Sequence, residues 1–181
     1  MSRTVMRPKT NFGPNVRSKG NFLARCGMQV LTAATLACST ATLAQSPDKV
    51  KAGLEVWKSS GCADCHGPFA DGNPEDGDYP IGANLRTARL DTAGLKQTIR
   101  CGRPGTGMPS FEEGAYRVGA CYGRPLGAAP DNLQPTPRTL SVEEIDAVVA
   151  YLQARIVGHG KITREECMSY YGGTADCEDF K

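Results

Sequence analysis

The sequence predicts an all-α fold, a small helical domain joined by long loops. Three observations carry that expectation. Val50, Leu54 and Trp57 recur at i, i+4 and i+7, one apolar face of a helix over residues 47–59. Ile145, Val148, Val149, Leu152 and Ile156 repeat the pattern behind Ser141-Val-Glu-Glu144, a capping box that starts a second strong helix. Between them, segments rich in Gly, Pro, Asn and Asp show no period, and Cys62-Ala63-Asp64-Cys65-His66 follows the first helix directly.

Taken in order, residues 1–44 stand apart. They hold six Lys or Arg (Arg3, Arg7, Lys9, Arg17, Lys19, Arg25) and no acid. An apolar stretch runs from Met28 to Leu43 and closes on Thr42-Leu43-Ala44. A basic region, an apolar region and a small-residue site are the parts of an export signal, expected to be cleaved near Ala44. The apolar run is too short and too rich in threonine for a retained membrane span. Ala34-Thr35-Leu36-Ala37-Cys38 resembles a lipoprotein cleavage box, with Thr35 where Leu is usual. The remaining residues hold 15 bases against 19 acids, a net charge of −4, which argues against nucleic acid as a partner.

The first mature helix has Ser46 as cap, Pro47 in its first turn and Asp48 at its positive end. Trp57 suits either the core or the wall of a cofactor pocket. Gly53 offers a place where another helix can approach closely. The C-x-x-C-H spacing of Cys62, Cys65 and His66 reads as covalent attachment of one haem c: two thiols add to the two vinyl groups and the histidine supplies an axial nitrogen. A zinc site or a redox dithiol also uses paired cysteines. The first wants further Cys or His pairs at similar spacing, and the second a strand-helix-strand context.

Residues 67–85 read as loop, with an acidic run of Asp71, Glu75, Asp76 and Asp78 that suits a solvated surface and does not follow an EF-hand spacing. Asp91-Thr92 begins a short helix with Leu95 and Ile99 facing in, ending at Cys101-Gly102. Gly105-Thr106-Gly107-Met108-Pro109 is again loop. Met108 lies 42 residues beyond His66, and a thioether in a Gly/Pro-constrained loop is suited to be the second axial ligand. Met168, beside Cys167, and His159, near a helix end, are the rival ligands. Cleavage at Ala44 leaves Cys101, Cys121, Cys167 and Cys177 beyond the haem pair. Four cysteines allow three pairings, and disulfides persist in an oxidising compartment. Proximity in the chain favours Cys101–Cys121 and Cys167–Cys177. The first would close a loop around Met108 and contribute on the order of 3 kcal/mol in the loop-entropy treatment. The expected organisation is a signal peptide (1–44), a haem domain (45–158) and a disulfide-stapled C-terminal extension (159–181).

The order of parts — helix, Cys-x-x-Cys-His-Gly, Pro-containing loop, short helix, Gly-x-Met-Pro, and a last helix with Glu-Glu-Ile-x-x-Val-Val-x-Tyr-Leu — resembles a monohaem class I cytochrome c over residues 47–157. The resemblance implies helices packed around one haem, with the first and last crossing at near right angles. Gly53 would stand at that contact, against Tyr151 or Leu152. It also implies that the Pro80 carbonyl holds the His66 ring N–H, although Tyr79 stands where the family usually has Gly. The segment from Ile99 through Pro109, the following Cys121-Tyr122-Gly123 and the two-cysteine tail are similar to cytochromes that accompany periplasmic quinone-dependent alcohol (methanol-type) dehydrogenases.

The function these features imply is a periplasmic electron carrier, not an enzyme, with no catalytic residues. A dehydrogenase would be the electron donor and an oxidase or another cytochrome the acceptor. The alternative is a haem enzyme of peroxidase or thiosulfate type, which requires an open iron or a free Cys101 as ligand. Residues 86–124 carry seven bases (Arg86, Arg89, Lys96, Arg100, Arg103, Arg117, Arg124) against three acids. That segment either steers an acidic partner to the haem face, or one or two of its arginines pair with the haem propionates and the rest are solvated.

Overall fold

The computed structural model describes residues 45–119, 121–173 and 177–180, so the expected signal peptide, its cleavage at Ala44 and the Cys38 site lie outside the described residues. Among those described, the regular elements are helical. Helix α1 spans Pro47–Ser59 and α2 spans Cys62–His66. Helix α3 spans Thr92–Cys101, α4 Ala115–Val118, α5 Val142–Tyr151 and α6 Arg164–Tyr171.

Local chemistry starts and stops these helices. The Ser46 hydroxyl accepts the Lys49 N–H at 3.3 Å and Pro47 occupies the first turn of α1. Gly61, at φ +75°, turns the chain out of α1 and straight into α2. The Asp91 side chain accepts the Gly94 N–H at 2.8 Å to open α3. At α5 the capping box is complete: the Glu144 carboxylate accepts the Ser141 N–H at 2.8 Å and the Ser141 hydroxyl accepts the Glu144 N–H at 3.2 Å.

The core is built where α1 packs on α5. Gly53 is the point of closest approach. A Cβ there would lie 2.0 Å from the Ala147 carbonyl oxygen and 2.7 Å from the Tyr151 Cβ. The family resemblance places Gly53 opposite Tyr151 or Leu152, and the contact is with Ala147 and Tyr151. Trp57, Ile145, Val148 and Ile156 are each 2 % exposed or less and form the centre of the core.

Helix α5 departs from its expected course. It is regular only to Tyr151, and Leu152–Ile156 form a π-helical turn closed by the Val157 N–H on the Leu152 carbonyl at 2.8 Å. The wider turn keeps Leu152 and Ile156 buried and releases the chain where the Gly158 N–H reaches the Arg86 carbonyl at 3.1 Å.

Both disulfides pair near neighbours: Cys101–Cys121, 20 residues apart, and Cys167–Cys177, 10 apart. The extension is more than a staple. It contains α6, opened by a second capping box of Thr163 and Glu166. Phe69 holds it through ring contacts with Tyr170, Tyr171 and Phe180 at centroid distances of 5.9, 5.9 and 5.4 Å. The Lys58 ammonium donates to the Tyr170 carbonyl at 2.7 Å.

Tyr151 carries a pH prediction. Burial raises its phenol above the ordinary range, reinforced by the Glu166 carboxylate. The folded state therefore keeps this phenol neutral at pH values where the unfolded chain ionises it, near pH 10. Stability is expected to be unaffected below that range and to fall as pH rises above it. Denaturant midpoints of wild type and Tyr151→Phe, compared at pH 8 and above pH 10, check this. Equal pH slopes in the two proteins would sink it.

Candidate cofactor site

A cavity of about 500 Å³ opens beside α2, α3 and α5, and it gathers residues that the sequence scatters over 57–152. Trp57, Cys62, Cys65, His66, Pro80 and Met108 all line it. The rest of the wall is mainly apolar, with Leu85, Leu95, Ile99, Phe111 and Leu152 among the contributors. Trp57 is thus both core and wall. Its indole Nε1, with no hydrogen-bond partner, is the one buried polar side-chain atom so placed among the described residues.

Helix α2 sets the spacing of the motif. Cys62 and Cys65 fall three residues apart, on one helical face. Both are free thiols, in contrast to the four bridged cysteines. Burial pushes the Cys62 thiol up to about 12, with Asp64 adding to the shift, and burial also raises Cys65. Among the described residues no group of three or more Cys, His, Asp or Glu is placed to hold a metal ion.

His66 is held as a neutral imidazole. Burial lowers its basicity, the hydrogen bond to Ala83 opposes this, and the Arg103 charge lowers it further. Nδ1 lies 2.8 Å from the Ala83 carbonyl oxygen. A carbonyl can only accept, so Nδ1 carries the proton and Nε2 keeps its lone pair. The expectation from resemblance named Pro80 for this contact, and the structure corrects it to Ala83. The Pro80 ring instead packs on the methionine loop, 2.8 Å from where a Gly107 Cβ would lie. The turn reaches His66 because Gly82 has no side chain: a Cβ there would sit 2.6 Å from Nδ1, and the Gly82 N–H bonds the Cys65 carbonyl at 2.7 Å.

The Met108 loop is fixed from several sides. The Arg103 N–H bonds the Met108 carbonyl at 3.0 Å, and the Met108 N–H bonds the Thr106 hydroxyl at 3.2 Å. A Cβ on Gly102 would fall 2.5 Å from the Pro109 carbonyl carbon. The Tyr122 hydroxyl donates to the Gly102 carbonyl at 2.6 Å and the Tyr116 hydroxyl to the Cys101 carbonyl at 3.0 Å. The disulfide ties the two segments covalently. Neither rival ligand lines this cavity, and Met168 and His159 are both exposed.

The basic segment divides. Arg86 is 4 % exposed and structural. Lys96 pairs with Asp146 and Arg100 with Glu112. Arg89, Arg103, Arg117 and Arg124 are exposed and form no ion pair among the described residues. The acidic loop is also partly engaged, with the Tyr171 hydroxyl donating to Glu75 and Asp71 accepting from Asn73.

Sequence reasoning missed Ala83, Arg86 and Glu166. Only Glu166 left a legible signal, the capping-box spacing Thr163-x-x-Glu166.

A haem c fits this donor set: two free thiols at C-x-x-C spacing, a neutral imidazole with a free lone pair and a thioether, all on one apolar cavity. Residues 48–117, fewer than half of the 181, match the family model described as cytochrome C oxidase, cbb3-type, subunit III. That segment contains both the Cys62–His66 motif and Met108 and ends before α5. The match supports a class I c-type cytochrome and implies covalently bound haem c. No curated protein and no solved structure matches the chain.

Proposed function

We propose that this protein is a periplasmic electron carrier in which Cys62 and Cys65 attach one haem c, with His66 and Met108 as its axial ligands. The observation that carries the proposal is the convergence of His66 and Met108 on one cavity. The haem, when bound, supplies a one-electron couple between ferrous and ferric iron. The chain's residues do the rest. Cys62 and Cys65 tether the group, the Ala83 carbonyl orients His66, and the Met108 loop keeps the thioether in place. The apolar wall excludes water, which favours the less charged, reduced state. With His66 and Met108 both holding the iron, the site would leave no position on it for a substrate.

The Cys101–Cys121 bridge removes the thiolate that a thiosulfate-type enzyme would take from Cys101. We place the carrier domain at residues 45–158 and the docked extension at 159–181, behind a cleaved signal peptide. Among the described residues no helix is long and apolar enough to cross a membrane. The matched family's description names an oxidase subunit. For this chain we extend that only to redox-protein partners, with an oxidase or another cytochrome as acceptor. The likeness of the Ile99–Pro109 segment to cytochromes of quinone-dependent dehydrogenases makes such a dehydrogenase the proposed donor.

An optical spectrum of the oxidised protein tests the ligand assignment. The expected result is the weak band at the red end that arises from methionine sulfur bound to ferric iron, and its absence in wild type rejects Met108. The four arginines without an ion pair among the described residues give a second prediction. The rate of electron transfer from an acidic partner should fall as salt rises. Replacing Arg103 and Arg124 with glutamine should flatten that dependence. A rate independent of ionic strength removes the steering role.

A further inference from the structure

Arg86 has an unusual load for one side chain. Its guanidinium donates to the carbonyls of Gly160 at 2.5 Å, Lys161 at 2.9 Å and Phe69 at 3.2 Å, and to the Glu166 carboxylate at 3.1 Å. A buried charge of this kind is retained only when its donors are satisfied, and here they are. Its backbone is engaged too: the Arg86 N–H bonds the Asn84 side-chain oxygen at 2.9 Å and its carbonyl accepts from Gly158. Leu85, between them, donates to the Ala70 carbonyl at 2.8 Å. The 82–86 turn is therefore bolted to the extension on one side. On the other it presents the Ala83 carbonyl to His66.

A parallel exists at the other end of the motif. Arg138 pairs with Glu144, the capping-box residue of α5, and donates to the buried Ser60 hydroxyl at 3.0 Å, two residues before Cys62. Each capping-box glutamate thus serves twice, closing its own helix and anchoring an arginine that braces one side of the Cys62–His66 segment.

We infer that the C-terminal extension is a positioning element for His66: Glu166, acting through Arg86, holds the turn whose Ala83 carbonyl accepts the His66 Nδ1–H. The inference rests on the proposed reading of His66 as an axial ligand. A firm acceptor at Nδ1 increases electron donation from Nε2 and so stabilises ferric over ferrous iron. Loosening the turn weakens that donation and raises the reduction potential. Glu166 and Arg86 touch neither the cavity nor its ligands, so they act only through the turn.

The test compares Glu166→Gln, Arg86→Lys and Glu165→Gln in the holoprotein. Arg86→Lys keeps the charge but loses the fork of donors, which separates geometry from electrostatics. Glu165→Gln removes the same charge as Glu166→Gln from an exposed site, where among the described residues it pairs with Arg155. Two readouts are used: the reduction potential, and the NMR resonance and hydrogen exchange of the His66 Nδ1–H. Glu166→Gln and Arg86→Lys are each expected to raise the potential. A threefold change in the ferric-to-ferrous ratio corresponds to about 30 mV at 59 mV per tenfold. Both should also speed exchange of the ring proton, while Glu165→Gln leaves both readouts at wild-type values. Variants that lose melting temperature but keep the wild-type potential and exchange overturn the inference, as does an equal shift in Glu165→Gln. A wild-type protein without a histidine-ligated haem spectrum overturns the underlying reading instead. If Glu166→Gln does not fold, Arg86→Lys decides alone.

Discussion

Replacing Gly53 with alanine is expected to destabilise the protein by about 3 kcal/mol or more, against the direction that helix propensity predicts. In an exposed helix interior the same change stabilises by about 1 kcal/mol, because glycine loses more backbone entropy on folding. Here the added Cβ would lie 2.0 Å from the Ala147 carbonyl oxygen and 2.7 Å from the carbonyl carbon. Both are backbone atoms of α5 and cannot rotate away, so α1 and α5 must separate. Packing is lost along the whole contact, including around Trp57 and Val148, which line the cavity. Denaturant unfolding of the holoprotein checks this. A midpoint equal to or above wild type would show that the helices do not meet at Gly53.

The second large effect belongs to Met108. Met108→Ala is expected to leave the haem attached through Cys62 and Cys65, erase the weak red-end band, and lower the reduction potential on the order of tenths of a volt. The thioether is a soft donor that favours ferrous iron. Alanine removes it and leaves space for water beside the metal. The loop itself should survive, since its hydrogen bonds use the Met108 backbone and the Tyr122 and Thr106 hydroxyls. Potentiometry and the optical spectrum check this together. An unchanged potential would remove Met108 as a ligand. A comparable shift in Met168→Ala would move the role to the extension.

Much of the fold was legible because it follows local rules. Helix α1, the capping box of α5 and the Asp91 cap were read from residue types at short spacing, and the structure reproduces them. The two disulfides follow proximity in the chain. The π-helical turn at Leu152–Ile156 was not legible, since its apolar pattern is also that of a continuing α-helix. It was decided by where Ile156 and Gly158 must go to meet the core and Arg86. The role of Arg86 was equally hidden. In sequence it is one of seven bases in a segment; in space four acceptors from residues 69, 160, 161 and 166 surround it.

By itself the sequence determined the chemistry of the proposed donor set. Two thiols and an imidazole at C-x-x-C-H spacing and a methionine in a glycine- and proline-bound loop are specified by residue identity and by separations of a few positions. The tertiary structure decided which atoms support that set. The carbonyl that holds His66 belongs to Ala83 and not Pro80, because every residue carries a carbonyl and only the path of the 82–86 turn selects one. That path depends on the space at Gly82 and on an arginine anchored 80 residues away, and long-range constraints of that kind leave no periodic trace in the chain.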